Sequence, residues 1–381
     1  MTTPRFEQGP IRPPSEARSL LVRVIRNCTW NRCTFCPVYK GSKASQRQLE
    51  EILADVDAMA VAAERLGGRG AANERMLAAL HGGDVPPEAV QVALFLRDGA
   101  RHAFLQDADP CAVTPEKLAA VLERLRSLFP SVERVTTYGR ASTLARRGEE
   151  ELGRLAAAGL TRVHLGLESG SDVVLKEVCK GVTQAELVTA GRNVLAVGLE
   201  LCFYVMPGLG GVEASAEHVR GTVEVLRAVA SAAPPGHPLV VRLRTTAVAP
   251  GTPLAERAAA GRFTLPDDVQ VADELRKLLT DLGDARLELR SDHSLNLLPE
   301  LEGYLPEDSA RLLGLLDEFL GLSAEERAWF ALGARMGVFR RLADRHDPQR
   351  RAVLRAQVPW VKDADERDVL NAAVRIRSHF I

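Results

Sequence analysis

The chain has 381 residues, with 49 Lys and Arg against 50 Asp and Glu, so its formal charge is −1. That balance argues against a polybasic nucleic-acid or membrane-surface protein, and 46% hydrophobic with 26% charged residues is a globular composition. No apolar run reaches the roughly 18 residues of a membrane span, and the start MTTPRFEQGPIRPP lacks a signal peptide's apolar core, so a cytoplasmic protein is expected.

Residues 1–18, rich in Pro, Arg and Glu, read as a flexible N-terminal arm. Leu20 to Ile25 is a short apolar run suited to a buried strand, and a cysteine-bearing loop follows it directly. Between Gln46 and Arg65 apolar residues recur at helical spacing (Leu49, Ile52, Val56, Met59), and Gly67 and Gly68 end that helix. After a Gly- and Ala-rich stretch to Gly83, Pro86 opens another helix, and a strand at 102–105 runs into Gln106-Asp107-Ala108-Asp109.

From there helices 115–128, 149–158, 183–197 and 213–230 alternate with strands 133–138, 161–167, 199–206 and 239–245. Such alternation implies parallel strands joined by crossover helices. Six strands are too few for a closed eight-stranded barrel, so the expected fold is α/β, a partial (β/α)6 barrel over residues 19–260. Ligands of such folds sit at the carboxyl ends of the strands. Residues 261–381 read as a mainly helical extension (267–281, 307–319, 323–342, 348–357 and 364–378), with SDHSLNLLPELEGYLP as an irregular bridge.

Six cysteines are few for disulfides in a reducing compartment, but three of them lie within nine residues, Cys28-Thr-Trp-Asn-Arg-Cys33-Thr-Phe-Cys36. Three soft thiolates on one loop suit zinc or an iron–sulfur cluster. Structural zinc takes four ligands, no second Cys-x-x-Cys exists, and His81 or His102 would have to supply the fourth from far along the chain. Three ligands on a cluster leave one iron open. Buried structural thiols would not be grouped in this way.

The loop resembles the cluster-binding loop of the radical S-adenosylmethionine (radical SAM) superfamily. The resemblance implies a [4Fe–4S] cluster on Cys28, Cys33 and Cys36, SAM bound at the open iron, and Phe35 near the adenine. Four residues separate the first two cysteines where three are commonest, which bears on the subgroup.

The other strand ends extend the resemblance over roughly residues 20–255. Asp107, with Asp109 second, is a candidate acceptor for the SAM ammonium, the alternative being that Asp109-Pro110 merely turns the chain. Tyr138-Gly139-Arg140 offers Arg140 as a carboxylate ligand. Gly166-Leu167-Glu168-Ser169-Gly170 resembles the strand end of the branch containing anaerobic coproporphyrinogen oxidase, the methylthiotransferases and the Elongator-like enzymes. Glu168 and Ser169 are therefore expected SAM contacts, and Lys180 stands where that branch places a basic residue near the SAM carboxylate. Met206-Pro207-Gly208 and the apolar segment through Val248 complete the cofactor-binding set.

The resemblance implies reductive cleavage of SAM to a 5′-deoxyadenosyl radical that takes hydrogen from a small-molecule, lipid or porphyrin-like substrate. It also implies an electron donor such as flavodoxin or ferredoxin, and makes the chain an oxidoreductase or transferase. Cys111, Tyr138 and His293 are the candidate catalytic residues, His293 and Asn296 because they are polar residues within an apolar bridge that could reach the site. The ordinary reading of Cys111 is a small buried residue, and Cys202, within a strand, reads as core. Two alternatives stand beside this reading: an RNA-modifying radical SAM enzyme, suggested by the Arg-rich run near 335–355 but opposed by the charge of −1, and a non-catalytic SAM-binding protein or haem chaperone.

Overall fold

The computed structural model describes residues 5–67, 87–234, 236 and 239–378. His81 and the Gly- and Ala-rich stretch to Gly83 lie outside them. The chain is α/β, with parallel strands alternating with helices as the repeat implies. It divides into two compact units, one of residues 1–31, 38–165 and 189–201, the other of residues 32–37, 166–188 and 202–381.

In the first unit, strands β1 (Leu20–Arg23), β4 (His102–Gln106), β5 (Arg134–Gly139) and the first half of β6 (Arg162–Glu168) form a parallel ladder. Leu20 lies beside Ala103, Phe104 beside Thr136, and Thr137 beside Val163. Val22, Phe104, Leu105, Val135 and Val163 are completely buried, which is why these strands read as near-continuous apolar runs. Two short strands, β2 (Ile25–Arg26) and β3 (Ser45–Gln46), pair antiparallel.

The helix Leu49–Arg65 turns Ile52, Val56 and Met59 inward, as its periodicity predicts. The helix Pro115–Leu128 starts where Thr114 accepts the Lys117 N–H and Pro115 occupies the first turn. Residues 5–18 are held by specific contacts. Gly9 and the Gln106 side chain exchange two hydrogen bonds of 3.0 and 3.1 Å, Glu7 pairs with Arg23 and Arg26, and Phe6 and Glu16 are buried.

One helix of this unit departs from expectation. It spans Ala141–Ala157, starting well before 149, with a kink at Gly148 where φ is 68°. The early start has a tertiary cause: the Asp109 carboxylate accepts the Arg140 N–H at 3.1 Å and the Thr143 hydroxyl at 2.6 Å, capping the first turn from another loop.

In the second unit, β7 (Glu200–Val205), β8 (Leu239–Leu243) and β9 (Leu287–Arg290) run parallel, with Cys202 beside Val240 and Val241 beside Leu289. Strand β10 (Gly303–Leu305) returns antiparallel along β9. Neither β9 nor β10 was legible in the chain: four and three residues are too short for an alternating pattern to register, and β10 lies within the expected irregular bridge. Two short helices, Asp172–Glu177 and Pro253–Ala259, also emerge, each opened by a side-chain cap from Ser171 or Thr252. The expected helix 323–342 stops at Arg335, and Gly337 at φ 72° turns the chain toward a separate 3-10 turn, Leu342–His346.

Candidate functional site

The first cysteine sits in a loop shaped by asparagines. Asn27 and Asn31 adopt φ of 66° and 48°, a region asparagine tolerates better than most residues. The Asn31 amide donates to Cys28 Sγ at 3.3 Å, while its side chain donates to the carbonyls of Tyr39 and Ser42. Asn27 binds the Lys43 carbonyl at 2.7 Å. Strand β1 thus delivers Cys28 on a backbone braced at both sides.

Asp107 and Asp109, at the end of β4, are both buried and both engaged within the chain. Asp107 meets Arg23 Nε and Nη2 at 2.7 and 2.6 Å and accepts the Asn27 amide at 3.3 Å. Burial pushes its carboxyl above the usual range against the opposing pull of Arg23. Asp109 is the helix cap already described, and burial raises its carboxyl likewise. Arg140 stacks its guanidinium 4.9 Å from the centre of the ring of Trp30, which lies between Cys28 and Cys33 in the sequence. Tyr138 packs edge-on against Phe104 and His164. Cys111 is fully buried, and burial together with the Asp109 charge pushes its thiol up.

The second unit gathers most of the remaining candidates. Cys33 and Cys36 pack against an apolar cluster of Phe35, Val174, Val178, Met206, Leu209, Leu254 and Phe263, which Val248 also joins. The loop is fixed by two backbone bonds, Thr34 N–H to Val178 O at 2.9 Å and Leu254 N–H to Thr34 O at 3.0 Å. At the end of β6, Glu168 and Lys180 form an ion pair of 2.8 Å, each side chain 13% exposed. Glu168 has φ of 61°, a conformation unusual for its residue type, and a Cβ at Gly166 would lie 2.2 Å from Glu168 Oε1. Glycine at 166 is therefore what leaves room for the pair.

Ser169 is buried, its hydroxyl 2.9 Å from His218 Nδ1. The Gly208 amide donates to Glu274 Oε1 at 2.6 Å. His293 is half-buried and accepts the Leu295 amide at 3.1 Å, and burial with the nearby Arg244 charge lowers its pKa to about 4. Asn296 binds both Thr245 and the Leu243 carbonyl, fastening the end of β8. The residues that sequence reasoning missed are those that hold the candidates: Arg23, Thr143, His218 and Glu274. Their partners lie far away along the chain, and no local pattern marks them.

None of the six cysteines is in a disulfide. Among the described residues no three His, Cys, Asp or Glu side chains converge as ligands of a single metal ion. The donor chemistry suits a sulfur-ligated cluster: three half-exposed thiols on one short segment, one already receiving a backbone N–H, the kind of contact that tunes cluster potentials.

Residues 84–223 match the family model described as the Radical SAM superfamily. Over that segment, somewhat more than a third of its length, the chain is similar to that superfamily. The match runs from before β4 to beyond β7, and the cysteine loop precedes it. The chain is similar to a biotin synthase of Methylobacterium radiotolerans, 31% identical over 123 residues that make up 32% of this chain and 34% of the relative. A biotin synthase of Methylobacterium sp. (strain 4-46) is 34% identical over 112 residues, 29% of this chain and 31% of the relative. The chain thus spans about a third of the length of the curated relatives it matches.

Among solved structures, coproporphyrinogen III oxidase of Escherichia coli has 16% identity and a TM-score of 0.41, covering 69% of this chain and 52% of that one. Elp3 of Methanocaldococcus infernus has 17% identity and a TM-score of 0.40, covering 56% and 53%. Among the described residues no helix is long and apolar enough to cross a membrane.

Proposed function

We propose that this chain binds a [4Fe–4S] cluster through Cys28, Cys33 and Cys36, and that it cleaves SAM reductively to abstract hydrogen from a small-molecule, lipid or porphyrin-like substrate. Residues 19–260 carry the chemistry, and 261–381 form a mainly helical extension. The observation that carries this reading is the convergence in the second unit: two of the cysteines and Phe35 share one apolar cluster with Met206 and Val248, which come from the ends of two other β/α repeats. Such a surface is suited to a flat heterocycle such as adenine, and it excludes water from a reactive radical.

When bound, the cluster would supply the electron and SAM the 5′-deoxyadenosyl group. The chain's own residues bind and orient. Lys180 offers an ammonium to a carboxylate, and Glu168, held at the strand end in a strained backbone, offers acceptors to an ammonium or a ribose diol. Opening their 2.8 Å pair frees both groups for a zwitterionic ligand. Arg140, preoriented on Trp30, is the further cation proposed for SAM. Asp107 and Asp109 act mainly through the groups they hold: Asp107 orients Arg23 and the Asn27 amide before Cys28, and Asp109 fixes the Arg140 backbone. Cys111, deeply buried with its thiol raised, favours a packing role over a catalytic one.

Anaerobic reconstitution tests the proposal. The protein should bind four irons and four sulfides and, once reduced, convert SAM to 5′-deoxyadenosine and methionine. Cys28→Ala, Cys33→Ala and Cys36→Ala should each abolish both properties. Tightly bound zinc without iron would overturn it. Deuterium transfer from candidate substrates into 5′-deoxyadenosine then identifies the hydrogen donor.

A further inference from the structure

A buried polar network lies beneath the strand ends of the second unit, and the proposed chemistry does not use it. Glu274, on the helix Asp268–Leu282 and 3% exposed, accepts the Gly208 N–H at 2.6 Å on Oε1 and the Ser215 hydroxyl at 2.5 Å on Oε2. His218, fully buried in the helix Ser215–Ala230, turns Nε2 toward the same carboxylate at 3.7 Å and Nδ1 toward Ser169 Oγ at 2.9 Å. His218 Nε2 has no hydrogen-bond partner of its own. Burial holds the imidazole below its ordinary range, so it carries one proton. With that proton on Nε2 facing Glu274, Nδ1 accepts the Ser169 hydroxyl, and the hydroxyl oxygen remains free to accept the Ser171 amide at 3.2 Å.

The two turns held in this way are tight. Gly208 stands at φ 82°, and an added Cβ would lie 2.9 Å from Pro266. A Cβ on Gly170 would lie 2.1 Å from the Gly221 carbonyl oxygen. Neither turn can shift without moving the helix behind it. One carboxylate from residues 261–381 therefore holds the turn after β7 directly and faces, at 3.7 Å, the His218 that holds the turn after β6.

We propose that Glu274 is a positioning residue for SAM, acting through Gly208 and through His218 on Ser169 and the adjoining Glu168. The inference rests on the SAM-binding reading above. It has a consequence that does not depend on a loaded enzyme: without the carboxylate, the turns loosen. Gln at 274 can still accept the Gly208 amide and can donate to the Ser215 oxygen, so it removes the charge from these bonds while keeping their geometry.

The test pairs hydrogen exchange on the unloaded chain with SAM kinetics on the reconstituted one. In Glu274→Gln, amides in peptides spanning 168–171 and 206–211 should exchange about tenfold faster, as expected for loss of a charge-assisted bond, with other regions unchanged. Iron content should match the parent, the KM for SAM should rise about tenfold, and kcat should change less. Glu274→Ala should be more severe, and if it fails to fold, Glu274→Gln decides. Unchanged exchange and unchanged KM in Glu274→Gln would overturn the inference while leaving the proposed function intact. A parent protein that takes up no iron would overturn the proposed function, while faster exchange in the variant would still establish the bracing.

Discussion

The most consequential side chains are those whose charge is buried with a partner. Glu168 and Lys180 meet at a position where glycine precedes the acid and the acid itself adopts a left-handed backbone. A strained residue that survives at a strand end points to use rather than packing. The Gly-Leu-Glu-Ser-Gly string marks the acid in the sequence, but only the folded chain shows that Lys180 is its resting partner. Asp107 and Asp109 teach the converse. A carboxylate after a strand is a fair candidate for an ammonium ligand, yet both are engaged by groups that periodicity cannot reveal, Arg23 and Thr143. His293 supplies a pH signature. Its pKa is lowered to about 4 in the fold, so the unfolded chain binds the extra proton between about pH 6.5 and pH 4. The corresponding stability is present in full above pH 6.5 and is lost as the pH falls toward 4. The ceiling is about 3 kcal/mol, and half-exposure should reduce it to about 1–2. Urea titrations at pH 7 and pH 4.5 should show a smaller loss on acidification in His293→Gln than in the parent; an equal loss would remove His293 as the cause.

Long elements with their own caps were readable, and elements stabilised from a distance were not. The helix Pro115–Leu128 carries Thr-Pro at its start and a clear apolar face, so its limits follow from the residues themselves. The helix Ala141–Ala157 begins under a cap lent by Asp109, and nothing between 139 and 148 announces it. Replacing that cap should therefore act on the element. Asp109→Ala is expected to destabilise the protein by about 2 kcal/mol, more than an exposed cap, because Thr143 and the Arg140 amide are left buried without an acceptor. A denaturation midpoint within error of the parent would contradict this assignment. Strands β9 and β10 were missed for a related reason: their stability comes from β8 and from each other, not from local pattern.

A buried charge assembly ties three segments of the second unit together. Asp268, at the start of its helix, receives Arg335 and Arg377, all three almost wholly buried, and Arg377 also donates to the Pro266 carbonyl at 2.6 Å. The two guanidinium groups hold the Asp268 carboxyl below its usual range despite burial. Two cations on one acid make the order of mutational effects predictable. Asp268→Ala strands two buried cations and should cost about 4 kcal/mol or prevent folding, whereas Arg377→Met leaves a neutral Asp268–Arg335 pair and should cost less than half as much. Equilibrium denaturation of the two variants ranks them, and the reverse order would refute the account.

The sequence by itself determined the α/β repeat and pointed to a class of chemistry. Periodicity and a cluster of thiols are local properties, carried by residues close together in the chain. Tertiary structure alone decided which groups the candidates engage within the chain, as Arg23 does Asp107 and Thr143 does Asp109. It also placed Glu274 against the Gly208 amide and His218 against Ser169, contacts that join segments distant in the chain. The physical reason is the cost of burying charge: every buried acid needs a donor, and the donor is supplied by whichever distant segment the fold brings alongside.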